Sequence, residues 1–188
     1  MNVDKDKFWK LLEPVHPAAE AFCRKLADNR EAGDDLYQDG LLQAMKNFDS
    51  LRDYKAFKPW LYSILINRFK NSRRGFWNRF RTTLAENVFS ASKYEDPQRR
   101  LDYRRWLRHA MEALSAEDRA LILLFELQGL SVVELSEIFN KPSGTIKARL
   151  SRSRAKMRKR LERHFPELSL KKTSGEFKHE LPGTKTID

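Results

Sequence analysis

Apolar residues recur at helical spacing along most of the chain, and no segment repeats the strict alternation expected of a β-strand. The first apolar groups predict helix over residues 8–28. Pro14 and Pro17 divide this segment into two pieces, because proline cannot continue a helix from its interior. The pattern as a whole predicts an all-α protein.

Two further helices are predicted in the first half. Gly33 breaks the preceding pattern, and Asp34 or Asp35 can cap a helix that runs to about Phe48. After a polar connection, another helix opens near Phe57 and becomes strongly basic toward its end. These helices supply enough apolar positions for a small core.

A second helical unit is predicted from Pro97 onward. Ser115 can cap an unusually apolar helix, which Gly129 ends. Ser131 and Glu134 then form the pattern of a capping box, in which each side chain satisfies an amide at the entrance of a short helix. This second unit should therefore be built around its apolar helix.

Two closely spaced helices follow that capping box. Pro142 cannot continue the first of them, and Ser143 can cap the second. A tight turn between short helices, the second strongly basic, predicts a helix-turn-helix.

The second helix of this motif can be oriented from its apolar stripe, which contains Ile146 and Leu150. Arg152 points away from that stripe, where the major groove of DNA would lie, and arginine can contact guanine with two hydrogen bonds. Candidate DNA-contacting residues on and beside this outer face are Thr145, Lys147, Arg149, Ser151, Arg152 and Lys156.

The net positive charge of the chain predicts a polyanionic binding partner. The chain has 188 residues and a formal net charge of +11, an excess typical of proteins that bind nucleic acid. A membrane is disfavoured because no stretch approaches the roughly 20 apolar residues that span a bilayer, and the polar N-terminus does not look like a signal peptide. The single cysteine, Cys23, is predicted to be a buried apolar residue, which fits a reducing cytoplasm.

The first half carries aromatic residues interleaved with cations. This combination suits unpaired bases, which stack on rings while phosphates meet lysine and arginine. Trp60 is better explained as a core residue, whereas for Arg52, Tyr54 and Lys55 a core role and a nucleic-acid role are both open.

These patterns predict two small helical domains joined by a flexible linker. The boundaries are residues 1–80, a linker at 81–96, a helix-turn-helix domain at 97–165 and a disordered tail at 166–188.

Two separate stretches resemble one family. The segment from Asp34 to Phe48, with the basic-aromatic helix that follows it, resembles conserved region two of bacterial RNA polymerase sigma factors. The helix-turn-helix from Leu130 to Arg154 resembles their region four. The order and the short connection between the two stretches are similar to the extracytoplasmic-function (ECF) group.

The resemblance implies a promoter-specificity subunit whose partners are core RNA polymerase, promoter DNA and an anti-sigma factor. It implies a −35 element reader on the basic helix, where Lys147 and Arg149 fall at family contact positions. It implies contact with the −10 element at Arg52, Tyr54, Lys55, Asn67, Arg68, Asn71 and Arg74. It implies polymerase binding at Asp35, Gln38, Asp39 and Gln43, although helix capping alone could explain the acidic start of that helix.

Two other classes of protein share part of this pattern. A helix-turn-helix regulator acting without the polymerase would need a sensor or dimerisation domain in place of the first half. A nucleic-acid enzyme would need clustered metal ligands or a nucleophile with its base. Asp34, Asp35 and Asp39 lack convergent partners, so we expect no enzyme activity, cofactor, metal or small-molecule substrate.

Overall fold

A computed structural model of the chain describes residues 3–27, 29–76 and 105–166, and these residues contain helices but no strands. The first half comprises α1 (Val3–Leu12), α2 (His16–Leu26), α3 (Arg30–Asn47) and α4 (Phe57–Phe76), with two 3₁₀ turns at Phe48–Ser50 and Tyr54–Ala56. The second half comprises α5 (105–111), α6 (Ala116–Glu126), α7 (Val132–Phe139) and α8 (Ser143–His164). The all-α prediction is confirmed. The predicted linker, and the predicted tail after its first residue, lie outside the described residues.

The start of α3 differs from the prediction. Asn29 caps this helix by accepting a hydrogen bond from the Ala32 amide at 2.7 Å, so the cap is neither Asp34 nor Asp35. Gly33 lies inside the helix instead of breaking it. A Cβ at Gly33 would lie 2.3 Å from the Cα of Arg24, so glycine is needed there because α2 and α3 cross at close range.

Gly40 has a related role in the middle of α3. Glycine in a helix interior costs about 1 kcal/mol relative to alanine. A Cβ at Gly40 would lie 2.3 Å from Cδ2 of Leu65, a fully buried residue of α4. The missing side chain therefore leaves room for the Leu65 side chain between α3 and α4.

The helix-turn-helix is formed by α7 and α8, as predicted. The capping box of Ser131 and Glu134 is present, and Ser115 caps α6. Asn140 ends α7 in the left-handed conformation, with φ of 48°. Pro142 occupies the capping position of α8, so Ser143 is its first helical residue and not its cap.

The core is continuous through both halves of the described chain. One apolar cluster extends from α1–α4 into α6–α8. It includes Cys23, which is fully buried as predicted, and burial raises the pKa of its thiol. The two halves are therefore in direct contact in this structure, with α4 packed against α6 and α7.

Candidate nucleic-acid interface

The outer face of α8 is exposed because the opposite face is anchored in the core. Ile146 and Leu150 are fully buried, as their spacing predicts. Arg152 is exposed, and its Nε donates to the carbonyl of Ala148 in its own helix at 3.3 Å. The exposed members of the predicted DNA-contacting set are Thr145, Lys147, Ser151, Arg152 and Lys156.

Arg149, the remaining member of this set, is not exposed on the outer face of α8. Its side chain is 15% exposed and donates to Asp118 Oδ1 at 3.0 and 2.8 Å and to Glu117 Oε2 at 3.2 Å. The guanidinium also lies 5.7 Å from the ring centroid of Phe139. Burial would raise the pKa of Asp118, but hydrogen bonds from Arg149 and Ser115 lower it overall. Arg149 thus ties α8 to the start of α6.

Other arginines on the sides of α8 also hold the helix in place. Arg154 donates to Glu126 Oε1 at 2.9 and 2.7 Å, and Arg160 donates to Glu112 at 2.9 Å. Arg158, in contrast, is exposed. Helical periodicity alone could not distinguish these roles, because the acidic partners belong to other elements of the second half.

The 48–56 loop follows α3 and rests on an aromatic cluster. Phe48 packs edge-on against Phe8, with ring centroids 5.3 Å apart. Tyr54 lies against Phe48 at 5.7 Å and is 36% exposed. Lys7 Nζ lies 3.5 Å from the centroid of the Tyr54 ring, a cation–π contact. The aromatic residues therefore fix an exposed tyrosine ring beside Lys7, whose sequence position does not distinguish it from other surface lysines.

Cations of the loop remain accessible. Arg52 and Lys55 are exposed, and Asp53 orders the turn by accepting from the Lys55 amide at 2.9 Å. Trp60 is half-buried, with its ring 5.8 Å from Phe57 and packed against the core. The core interpretation of Trp60 is therefore confirmed, although part of its surface still reaches solvent.

The outer side of α4 presents amides and an arginine. Asn67 and Asn71 are exposed. Arg68 donates to Asp39 on α3 at 3.0 Å, so one predicted DNA contact is paired with one predicted polymerase contact. Arg74 lies within α4, but its side chain is outside the described part of the chain.

The polar face of α3 carries the predicted polymerase-binding residues. Asp35, Gln38 and Asp39 are exposed, and Gln43 is half-buried. Leu42 lies among them and is 58% exposed. This face is adjacent to the outer side of α4, because Asp39 accepts a hydrogen bond from an arginine of that helix.

The described histidines make contacts with neighbouring side chains. His16 is the first residue of α2, and its Nδ1 lies 2.6 Å from the hydroxyl of Tyr37. His109 is half-buried and stacks on His164, with ring centroids 5.7 Å apart. Within the described ranges no group of three metal-ligating side chains occurs, and no helix is long and apolar enough to cross a membrane.

Comparisons with known proteins identify both halves. Residues 11–79 match the family model of sigma-70 region 2, and residues 104–157 match that of sigma-70 region 4. The solved structure of the sigma factor RpoE with the anti-sigma factor NepR from Bartonella quintana superposes with a TM-score of 0.61. It has 29% sequence identity and covers 83% of this chain and 97% of that one. CnrH, solved with the cytosolic domain of CnrY, shares the fold at 22% identity and a TM-score of 0.60, covering 84% of this chain and 89% of CnrH.

Relatives of known function agree with the two matched regions. The ECF RNA polymerase sigma factor EcfG of Rhodopseudomonas palustris is 29% identical over 143 residues, which cover 75% of this chain and 77% of EcfG. The ECF RNA polymerase sigma-E factor of Escherichia coli is 31% identical over 131 residues, which cover 64% of this chain and 69% of that protein. Together with the two matched regions and the exposed helix-turn-helix, these relationships show that the chain belongs to the ECF group of RNA polymerase sigma factors and is a promoter-recognising subunit.

Proposed function

We propose that this sigma factor divides promoter recognition between two surfaces of different chemistry. The outer face of α8 reads the −35 element as duplex DNA, and the 48–56 loop with the outer side of α4 holds the separated −10 strand. The observation that carries the proposal is their coexistence in one chain: an exposed basic recognition helix, and an exposed tyrosine ring bordered by cations.

Arg152 is the main candidate for reading a base pair in the −35 element. An arginine that makes two hydrogen bonds to guanine supplies about 1–3 kcal/mol of discrimination. Thr145, Lys147, Ser151 and Lys156 flank it and suit phosphates or neighbouring bases. Arg149 has a different role in this proposal, because its contacts with α6 orient the recognition helix.

In the −10 region, the loop stabilises an unpaired base. Extruding a base from the duplex costs a few kcal/mol, and stacking on an aromatic side chain returns about 1–3 kcal/mol per base. Tyr54 provides the ring, with Arg52 and Lys55 beside it. The remaining proposed contacts to the separated strand are Asn67, Arg68, Asn71 and Arg74.

The polar face of α3 binds core polymerase through Asp35, Gln38, Asp39 and Gln43. Acidic and amide groups on a rigid helix suit a basic partner surface and set the register of the complex. The polymerase supplies the chemistry of nucleotide addition, so this chain needs no catalytic group or cofactor of its own and has no small-molecule substrate. Its place of action is the cytoplasm.

An anti-sigma factor is the proposed regulator. The superposed structure from Bartonella quintana is a sigma factor bound to the anti-sigma factor NepR, and the similarity of the two folds supports an equivalent partner for this chain. Co-purification of such a partner, followed by loss of polymerase binding on its addition, would test this point.

Promoter-dependent run-off transcription tests the proposal as a whole. The purified chain is added to core polymerase with a library of promoter templates, and we expect initiation at a defined subset. Arg152→Ala should reduce discrimination at one −35 base pair about tenfold or more. Arg163→Ala, an exposed arginine in the last turn of α8, is the matched control.

Two outcomes would count against the proposal. Initiation that is independent of the added chain would remove the polymerase role. Tight, sequence-specific DNA binding without any association with core polymerase would favour the helix-turn-helix regulator instead.

A further inference from the structure

Lys7 has a contact that the proposed function of the 48–56 loop does not use. Its Nζ lies 3.5 Å from the centroid of the Tyr54 ring, which places the ammonium group over a face of the ring and not at its edge. The lysine belongs to α1, so it comes from an element that α2 and α3 separate from the loop. The aromatic site of the loop therefore includes a cation from another part of the first half.

The two faces of the Tyr54 ring have different surroundings. Phe48, which is 4% exposed, packs against the ring in a tilted geometry with centroids 5.7 Å apart. This contact joins the tyrosine to the buried aromatic cluster of the first half. Lys7 is exposed and covers the side of the ring that faces solvent, which we call the outer face. A base can therefore stack on the outer face only after the ammonium group has moved.

The strengths of the competing contacts favour that exchange. A cation–π contact at an exposed site shifts an equilibrium by about two- to fivefold. Stacking of a base on an aromatic side chain shifts it by about five- to 150-fold. The base should therefore win the outer face of Tyr54 when the two compete.

The displaced lysine gains a partner on the captured strand. Among the side chains that the structure describes, Lys7 forms no ion pair with a carboxylate, so the ring is the contact that it gives up. Lysine carries its charge on a flexible four-carbon stem, which lets the ammonium group swing from the ring to a nearby phosphate. Every base that stacks on Tyr54 brings such a phosphate with it. Stacking of the base and ion pairing of the lysine are therefore coupled.

We propose that Lys7 is a positioning residue for the unpaired −10 base: it covers the outer face of Tyr54 until a base arrives and then binds a phosphate of the captured single strand. The site for separated DNA thus includes α1 as well as the 48–56 loop and the outer side of α4. This inference rests on the proposed function for the identity of the ligand. The contact between Lys7 and Tyr54 can be tested without DNA.

Nuclear magnetic resonance of the full chain with isotope-labelled lysine tests that contact. The ring current of Tyr54 should shift the ε-protons of Lys7 upfield of those of the other exposed lysines, and Lys7→Arg identifies the signal by removing it. Tyr54→Leu should return the signal to the ordinary position. Lys10→Arg, at an exposed position of the same helix, should leave it in place. A Lys7 signal at the ordinary position in the wild-type chain would overturn the proposal.

The salt dependence of DNA binding tests the transfer to a phosphate. The probe is a promoter fragment selected by run-off transcription, duplex at the −35 element and single-stranded across the −10 element, bound by core polymerase carrying the chain. One phosphate contact in single-stranded DNA contributes about 0.7 to the slope of log affinity against log salt concentration. Lys7→Met should reduce the slope by about this amount, and Lys7→Arg should restore it. Equal slopes for Lys7→Met and the matched control Lys10→Met would contradict the transfer.

Removal of the stacked base distinguishes a positioning role from that of any lysine close to DNA. The same probe is made with an abasic site at each position of the −10 strand in turn. At the captured position the wild-type slope should fall by about 0.7, because Lys7 stays on the ring, and Lys7→Met should cause no further change. A slope difference between wild type and Lys7→Met that is the same with and without every base would refute the coupling.

These measurements also distinguish the role of Lys7 from the proposed function. If core polymerase carrying the chain selects no promoter, the proposed function fails and the role of Lys7 in base capture fails with it. If promoters are bound and opened but the Lys7 variants change neither the signal nor the slope, only the role of Lys7 fails.

Discussion

Arg149→Ala separates a DNA-reading role from a positioning role for this arginine. The substitution removes two hydrogen bonds to Asp118 and one to Glu117, together with the contact over Phe139. It also leaves Asp118, whose side chain is 15% exposed, without its cationic partner. We therefore expect the main effect to be on the anchoring of α8 to α6.

The magnitude follows from the burial of the pair. Solvent-exposed ion pairs contribute about 0–1 kcal/mol, whereas removing one partner of a fully buried pair costs about 3–5 kcal/mol. A pair at 15% exposure on both sides lies between these limits, so we expect a loss of about 2 kcal/mol. For a chain of this size that loss lowers the melting temperature by roughly 4–8 °C.

Thermal unfolding and a selection for −35 sequences are the two assays. Arg149→Ala should lower stability while leaving the preferred bases unchanged, and Arg149→Lys should recover less than half of the loss because lysine cannot donate from two nitrogens of a planar group. Arg158→Ala, an exposed arginine in the same helix, is the stability control. Stability equal to that control, combined with an altered base preference, would refute the positioning role.

Three other perturbations test the fold. Gly33→Ala should destabilise the chain by about 1–3 kcal/mol in denaturant unfolding because its Cβ meets backbone, whereas Gly144→Ala, which meets no atom within 4 Å, should not destabilise it. Asn140→Ala should cost about 1 kcal/mol at its left-handed position, and Asn140→Gly should be close to neutral by the same measurement. The pKa values of Glu117 and Asp118 are lowered by folding from 4.5 and 3.8, so these groups stabilise the fold above those values. The unfolding free energy should therefore decline as pH falls through the lowered pKa values, and the decline should be shallower in Glu117→Gln.

Local sequence signals predicted the helix-turn-helix well. Ser131 and Glu134 form a capping box that their spacing in the sequence predicts. The spacing of Ile146 and Leu150 predicts which side of α8 is buried. Arg152 could be placed on the outer face for the same reason. These features depend on residues within about one turn of each other, so periodicity and capping rules suffice.

Contacts between distant elements could not be predicted in this way. Gly33 predicted a break in the helix. The structure shows instead that glycine is needed there because a Cβ would clash with the backbone of Arg24 in another helix. Arg149 lies beside the outer face by helical angle, yet its acidic partners are about 30 residues earlier in the chain. The pairing of Lys58 with Glu134 joins two halves that the sequence presents as separate domains.

Permanganate reactivity of unpaired thymines in the −10 region tests most directly whether the two DNA-binding surfaces have separate roles. The wild-type chain with core polymerase should make these thymines reactive. Tyr54→Ala should keep −35 protection but lose most of the reactivity, and Arg152→Ala should lose protection and reactivity together. Full reactivity in Tyr54→Ala, or unchanged −35 protection in Arg152→Ala, would contradict the account.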